Sequence, residues 1–476
     1  MARNYNSNKI VFLASFIFTI LCYSIYLYFR GFGWDGDSFI SASQFQKMIG
    51  SDLYGTIDGG AHPKILTVIL FGLVYQFTGG FYILTMISII INALALAFIV
   101  DWVRKENGIW LIALIGILIN IPWSKIVINC DNPAFSIPFI IFGLYAFYKE
   151  RALLGTMLLT ISNLFRTGAE FIIFFLIIIA VINNNYKTMF ILVISFIIAF
   201  IHTYFGYLLI YPSKEQFWNL AWSFITTEES IAKYQYSVNS LIPYCSSIFK
   251  QIANKYSIFL IIPAIIGLYN IFSKSINIKL ILFLPLSSLI LPISSFIYGT
   301  EHTILETKHM GYSIILPVLA SFFIDKSYLG NLNGIIKNIT SIIALITVLA
   351  FSSLTGYLKQ GEYETSTDGT GAIGWTNLSD VKNKLQDTNI SNKLKILTHY
   401  DFLTFTLLDL GSYAKKIDII KNKNDLEPID LSNYDVIIFP INWNIDTKQS
   451  LHINYTVIAN DSIICYLNKI QNQNSF

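Results

Sequence analysis

The sequence predicts a polytopic α-helical membrane protein, with about eleven spans followed by a small extracytoplasmic α/β domain. Two observations carry the prediction. The chain of 476 residues is 54% hydrophobic and only 13% charged, where soluble domains carry about 25% charged residues. Apolar runs close to the roughly 20 residues that cross a bilayer recur through residues 1–357, and the composition turns polar only after them. The net charge of +3 is small and scattered, so no basic patch points to nucleic acid. Cys22, Cys130, Cys245 and Cys465 lie far apart without metal-type spacing and read as unpaired thiols.

Taken in order, the first element is the run 10–29 behind the short basic "MARNYNSNK". It is too long for a signal-peptide core, and no small-residue cleavage site follows, so it reads as a retained signal anchor. Further spans fall at 81–100, 109–128, 133–148, 152–165, 169–183, 188–211, 257–273, 280–298, 311–324 and 338–357. The run "KILTVILFGLVYQFT" at 64–78 reads instead as a helix lying at the outer surface, because counting it as a span would put Arg104 and Lys105 outside. With the N-terminus inside, "DWVRKENG", "YKER", "NNNYK", "SKSINIK" and "DKSYLGNLNGIIK" all face the cytoplasm, each with Lys or Arg. Residues 30–80, 212–256, 299–310 and the tail then face outward.

The catalytic-type domain therefore covers 1–357, and a polar Gly/Ser/Thr-rich linker covers 358–374. Within 375–476, "LKILTHY", "YDVIIFP", "YTVIAN" and "SIICYLN" are strand-like runs rich in β-branched residues, with helical stretches such as "DVKNKLQ" between them. The length allows a modest core.

On this threading, acids, histidines and cations gather at the outer face. Asp35, Asp37, Asp52, Asp58 and His62 lie in the first loop, and Asp131 in "NCDNPAF". Arg166 and Glu170 stand in "NLFRTGAEF", and Glu301, His302, Glu306, Lys308 and His309 in the last short loop. Charges at helix ends are often only interfacial. Arg166 stands apart, because apolar runs flank it and its guanidinium wants an anion. That anion is Glu170 through an i,i+4 helical pair, or a phosphate. His302 and His309, two helical turns apart, line one face or are plain surface histidines. In "DSFISASQFQKMIG", Phe39, Ala42, Phe45 and Ile49 recur at helical spacing, giving an amphipathic helix on the membrane surface. Asp37 begins it, as N-cap or as a carboxylate set for acid–base chemistry.

The order of "WDGDSFISASQF", "GGAHPKIL", "NCDNPAFSIP", "LLTISNLFRTGAEF" and "ETKHMGYSIILPVL" resembles the GT-C glycosyltransferases, such as protein O-mannosyltransferases, the lipid A aminoarabinose transferase and the catalytic subunit of oligosaccharyltransferase. The resemblance implies an inverting transfer of sugar from a polyprenyl-phosphate carrier to an acceptor at the outer face. It implies Asp37 as general base with Asp35 in reserve, Asp131 as the second acidic position, and Arg166 on the donor phosphate. His62 stands in the family's His-Pro turn, which leaves a divalent metal (Mg or Mn) open with Asp131 and His62 as ligands. Lys64 replaces the family's second proline and would meet the donor phosphate with Arg166 and Lys308, or an acidic acceptor, or neither. Trp34 and the aromatic loop 207–236 would stack on the sugar, or anchor the interface.

The tail lacks a WWD-type motif, which favours a monosaccharide donor and a glycan, lipid or cell-wall polymer acceptor over en bloc oligosaccharide transfer. The alternatives are a polysaccharide polymerase or ligase using lipid-linked glycans, and a transporter or flippase of such lipids. A polymerase would carry its large outer loop late, and a transporter would carry paired midplane charges or breaks. The low charge, Asn/Ile-rich composition and uncleaved anchor fit a bacterial cytoplasmic membrane.

Overall fold

The structure, a computed structural model, describes residues 2–30, 64–78, 81–130, 132–166, 169–210, 258–273, 314–323, 394–399, 413–420, 428–440, 455–459 and 463–468, with isolated positions in 38–49 and 339–350 and residues 410 and 426. The chain forms two compact units: Met1–Phe32, Lys64–Leu66 and Leu84–Tyr357 in one, Gly33–Pro63, Thr67–Ile83 and Leu358–Phe476 in the other.

The first unit is helical. Its helices are α1 (Ala2–Arg30), α3 (Tyr82–Lys105), α4 (Trp110–Leu118), α5 (Ile121–Ile128), α6 (Asn132–Tyr148), α7 (Ala152–Phe165), α8 (Ala169–Ile182), α9 (Tyr186–Ile210), α10 (Ile258–Ser273) and α11 (Ile315–Ala320); α2 (Ile65–Thr78) begins in it and continues in the second unit. Among the described residues, two stretches are long and apolar enough to cross a bilayer alone, Lys9–Phe29 and Tyr82–Lys105. The spans read at 133–148, 152–165, 169–183, 188–211 and 257–273 rest on shorter apolar helices, while 280–298 and, apart from isolated positions, 338–357 lie outside the described residues.

Exposed apolar stripes mark where lipid meets these helices. Ile10, Leu13, Ile17 and Leu21 form one on α1, and Phe190, Ile194, Ile197 and Ile201 form another on α9. Such stripes at helical spacing are what a hydrocarbon solvent selects, and water would oppose them. The opposite faces bury Cys22, Tyr23 and Tyr26 of α1 against a core that includes Leu96, Val100, Leu114, Trp123 and Ile137.

The expected span 109–128 is two helices. Asn120 leaves the helical region and its side chain accepts from the Trp123 N–H at 3.3 Å, with Pro122 in the first turn of α5. An N-cap followed by proline starts a new helix and cannot continue an old one. The span expected at 311–324 shortens to the six residues of α11 and the turn after them. Helices α3, α6 and α8 each end on a left-handed residue, Asn107, Glu150 and Asn184. In each case the next N–H closes back five residues, as in Gly108 to Val103 at 2.8 Å. This is a Schellman stop, and all three fall in loops that the sequence sets on the cytoplasmic side.

The α6–α7 hairpin is the tightest helix pair. Ser136 and Ser162 hydroxyls lie 2.8 Å apart, and Ser162 Oγ also donates to the Ser136 carbonyl at 2.9 Å. Two turns away Gly143 faces Gly155, where an added Cβ on Gly155 would lie 2.9 Å from the Gly143 carbonyl and 2.6 Å from the Phe147 ring. Only glycine lets the backbones come this close. Pro138 within α6 has no N–H, which frees the Ala134 carbonyl. The Asn92 amide of α3 fills the gap, donating to Ala134 O at 2.8 Å. Ser88 does the same for the Val127 carbonyl at the end of α5, at 2.8 Å.

In the second unit, α2 is only 14 residues, about 21 Å long, against a hydrocarbon core of about 30 Å. It packs Gly72 onto the Phe45 side chain, which leaves a Cβ no room. Ala42 and Phe45 are helical and buried, as the amphipathic reading expects, but Ser38, Ser41 and Gln44 are buried as well and Ile49 is exposed, so burial here does not follow the apolar face alone.

The tail forms a five-stranded sheet, ordered β2-β1-β3-β5-β4. Its strands are β1 (Leu394–His399), β2 (Ala414–Ile420), β3 (Val436–Pro440), β4 (Tyr455–Ala459) and β5 (Ile463–Asn468). The first three run parallel, and β4 and β5 form an antiparallel hairpin on the β3 edge. Four of these are the strand-like runs of the sequence; β2, "AKKIDII", is an addition. β1 and β3 are buried on both faces, which suits continuous apolar runs in a parallel sheet. Tyr434 donates to Asp418 at 2.8 Å across the sheet. Burial, reinforced by that bond, pushes its phenol well above the usual range.

Candidate functional site

Of the residues the sequence nominates, Asp35, Asp37, Trp34, His62, Asp131, His302, Lys308 and His309 lie outside the described residues. Lys64 is half-buried just before α2. Glu170 belongs to α8 through its backbone. The expected i,i+4 pair between Arg166 and Glu170 needs one continuous helix, and the structure breaks the helix between them. Arg166 is the C-cap of α7, with extended φ −159 and ψ 137, so the two residues sit on different helices.

Arg166 is nonetheless a buried cation, 7% exposed. Phe165 before it stacks on Phe135 and Phe139 of α6, at 5.5 and 5.7 Å between ring centres. The ring sandwich and the serine clasp fix where α7 stops, and therefore where the guanidinium begins. Ser136 against Ser162 and Gly143 against Gly155 share one antiparallel register, which sets Asn132, the first residue of α6, opposite Arg166.

Around this end of the first unit, polar side chains are buried without full pairing. Asn163, 1% exposed, has no hydrogen-bond partner for Nδ2 or Oδ1 among the described residues. Asn132 Oδ1 and Asn92 Oδ1 share that condition, and the buried His202 ring on α9 has, among the described residues, just the Ile198 and Ala199 carbonyls of its own helix in reach of its N–H. Leaving such a group bare in a protein interior costs about 1–3 kcal/mol, and natural interiors pair most of them. The sequence reading placed Asn132 beside Asp131 at the outer face without giving it a role, and missed Asn163 and His202. The available signal was weak: uncharged polar residues inside apolar runs, "TISNLF" and "AFIHTYF".

Among the described residues no group of three or more His, Cys, Asp or Glu side chains gathers as a metal would require. Both metal candidates, Asp131 and His62, fall outside the described residues.

Taken with its lipid-facing stripes, this arrangement defines a class: an integral membrane protein of packed helices, with a buried arginine among uncharged polar groups where one helix hairpin opens. Compared with solved structures, the chain has the fold of ArnT from Cupriavidus metallidurans, determined bound to undecaprenyl phosphate. The TM-score is 0.57 at 10% identity, over 96% of this chain and 97% of that one. This bears out the resemblance to GT-C enzymes that the sequence motifs carry. No protein-family model matches the sequence, and no curated protein matches it.

Proposed function

We propose that the protein is an inverting glycosyltransferase of the extracytoplasmic face. It moves one monosaccharide from a polyprenyl-phosphate carrier to a glycan, lipid or cell-wall polymer. The observation that carries this reading is the shared fold across nearly the full length of both chains, since the ArnT structure holds a polyprenyl phosphate. Arg166 supports it from within: a guanidinium fork, buried at the end of a helix, suits phosphate oxygens bidentately.

In the proposed reaction the lipid phosphate leaves the anomeric carbon as the acceptor hydroxyl attacks from the opposite side. Asp37 takes the hydroxyl proton, with Asp35 beside it. Arg166, Lys64 and Lys308 hold the departing phosphate, whose charge grows as the glycosidic bond breaks, so their attraction is strongest in the transition state. Asp131, His62, Glu170, Trp34, His302 and His309 complete the substrate-binding loops. The N-terminus lies in the cytoplasm, the tail domain outside, in a bacterial cytoplasmic membrane.

The test is a transfer assay on purified protein in detergent with radiolabelled polyprenyl-phosphate sugars, for wild type and Asp37→Asn. Wild type is expected to release or transfer sugar, and the variant to bind donor while losing turnover at least a hundredfold, the scale of a lost general base (about 10²–10⁴). Equal activity in the two proteins removes Asp37 from the chemistry.

A further inference from the structure

Resting on the glycosyl-transfer reading, we propose that Asn132, Asn163 and His202 form a subsite beside Arg166 that reads the hydroxyls of the donor's sugar.

Position argues first. Thr160 of α7 and Ser195 of α9 meet at 2.5 Å between hydroxyl oxygens. The chain reverses between α7 and α8 and again between α8 and α9, so α7 and α9 run the same way. Arg166 lies six residues beyond Thr160, about 9 Å, and His202 seven beyond Ser195, about 10.5 Å, which brings them to one depth. His202 is two turns from Ser195 on the same stripe, and its side chain leans back toward the Asn163 level. On α7, Ser162 faces α6 and Thr160 faces α9. At 100° per residue, Asn163 falls in the arc between those two directions. Asn132 stands opposite Arg166 in the hairpin register.

Hydrogen-bond arithmetic then selects the ligand. Among the described residues the bare groups are the Oδ1 atoms of Asn132 and Asn163 and the Asn163 amide nitrogen. A neutral imidazole offers one donor and one acceptor; the His202 N–H has the Ile198 and Ala199 carbonyls within reach, which leaves its other nitrogen as an acceptor. The set therefore asks for hydrogen-bond donors at three atoms and an acceptor at one. A phosphodiester anion brings acceptors alone and would leave both amide oxygens and one ring nitrogen stranded. Hydroxyls bring both. Arg166 takes the anion, and the uncharged set beside it takes the sugar. Burial adds discrimination, because a site built to pair hydroxyls rejects a ligand that leaves its polar atoms bare.

The same hydroxyl chemistry is available from water, and the experiment separates the two sources. Full-length protein in lipid nanodiscs is titrated with undecaprenyl phosphate and with undecaprenyl-phosphate-linked glucose, mannose and aminoarabinose, with Kd read by native mass spectrometry. Wild type is expected to bind at least one glycosylated lipid about tenfold tighter than the bare phosphate lipid. Asn163→Leu, with the same branching and number of heavy atoms, and His202→Gln bring that ratio toward one while bare-lipid affinity stays within about twofold. Arg166→Gln weakens both lipids and keeps the ratio. An unchanged ratio in both Asn163→Leu and His202→Gln overturns the proposal and leaves a recess for water only. So does a wild type that binds bare and glycosylated lipids alike. A wild type that binds no polyprenyl-phosphate lipid at all defeats the glycosyl-transfer reading itself.

Discussion

At the residue scale, Arg166 was visible in the sequence because a charge between "LLTISNLF" and "FIIFFLIII" is expensive and demands a reason. Its value lies in shape as well as charge. Arg166→Lys keeps the cation and loses the planar fork, so donor KM should rise about tenfold, about 1.4 kcal/mol, with kcat changed less; steady-state kinetics with a polyprenyl-phosphate sugar checks this. The same residue shows where sequence reading stops. Glu170 looked like a helical partner four positions on, but the turn at Arg166 is set by Phe165 locking onto two α6 rings, a tertiary event. Asn163 and His202 were silent for a related reason. Hydropathy averages over a neutral polar side chain, and whether its atoms find partners depends on neighbouring helices.

Among elements, the α6–α7 hairpin and the tail sheet carry the clearest predictions. Gly155→Val drives methyl groups into the Gly143 carbonyl and the Phe147 ring and should destabilise the protein by about 1–3 kcal/mol, seen as a lower unfolding temperature in detergent. In the tail, Tyr434→Phe removes the bond to Asp418 and should cost about 1 kcal/mol, read as faster amide exchange in β1 and β3 of the full chain. Because the folded phenol holds its proton above the pH at which an unfolded tyrosine ionises, its contribution is full below about pH 10 and falls as pH rises beyond it. Wild-type exchange in β1 and β3 should therefore accelerate from about pH 9 to about pH 11 more than in Tyr434→Phe. Most helix limits were legible from apolar runs, and 152–165 matches α7. The break at Asn120 was also written, as an N-cap with proline after it, but uniform hydropathy across 109–128 hid it. β2 escaped because two lysines and an aspartate interrupt its apolar pattern, as suits an edge strand.

For the whole molecule, the proposed topology, N-terminus in the cytoplasm and tail outside, rests on the arrangement of Lys and Arg. Lys416, with a half-exposed side chain on edge strand β2, gives a direct check. In a Cys245→Ser background, Lys416→Cys should react with a membrane-impermeant maleimide in intact spheroplasts, where buried Cys465 stays unlabelled. Protection of the introduced thiol until the membrane is opened would invert the topology. The fold class was readable because a bilayer imposes long apolar runs on any chain that crosses it. For the outer loops the sequence supports no more than the expectation of a shared side of the membrane.

The serine clasp and the facing glycines also have a kinetic meaning. A helix pair held by hydroxyls at one end and backbone contact two turns away has no slack to slide, since a one-residue slip would break both anchors together. Asn132 and Arg166 therefore keep a constant separation through every turnover cycle. On the proposed transfer, a spent polyprenyl phosphate would leave past that fixed post, and stiffening this hairpin with an engineered cross-link should leave the rate untouched.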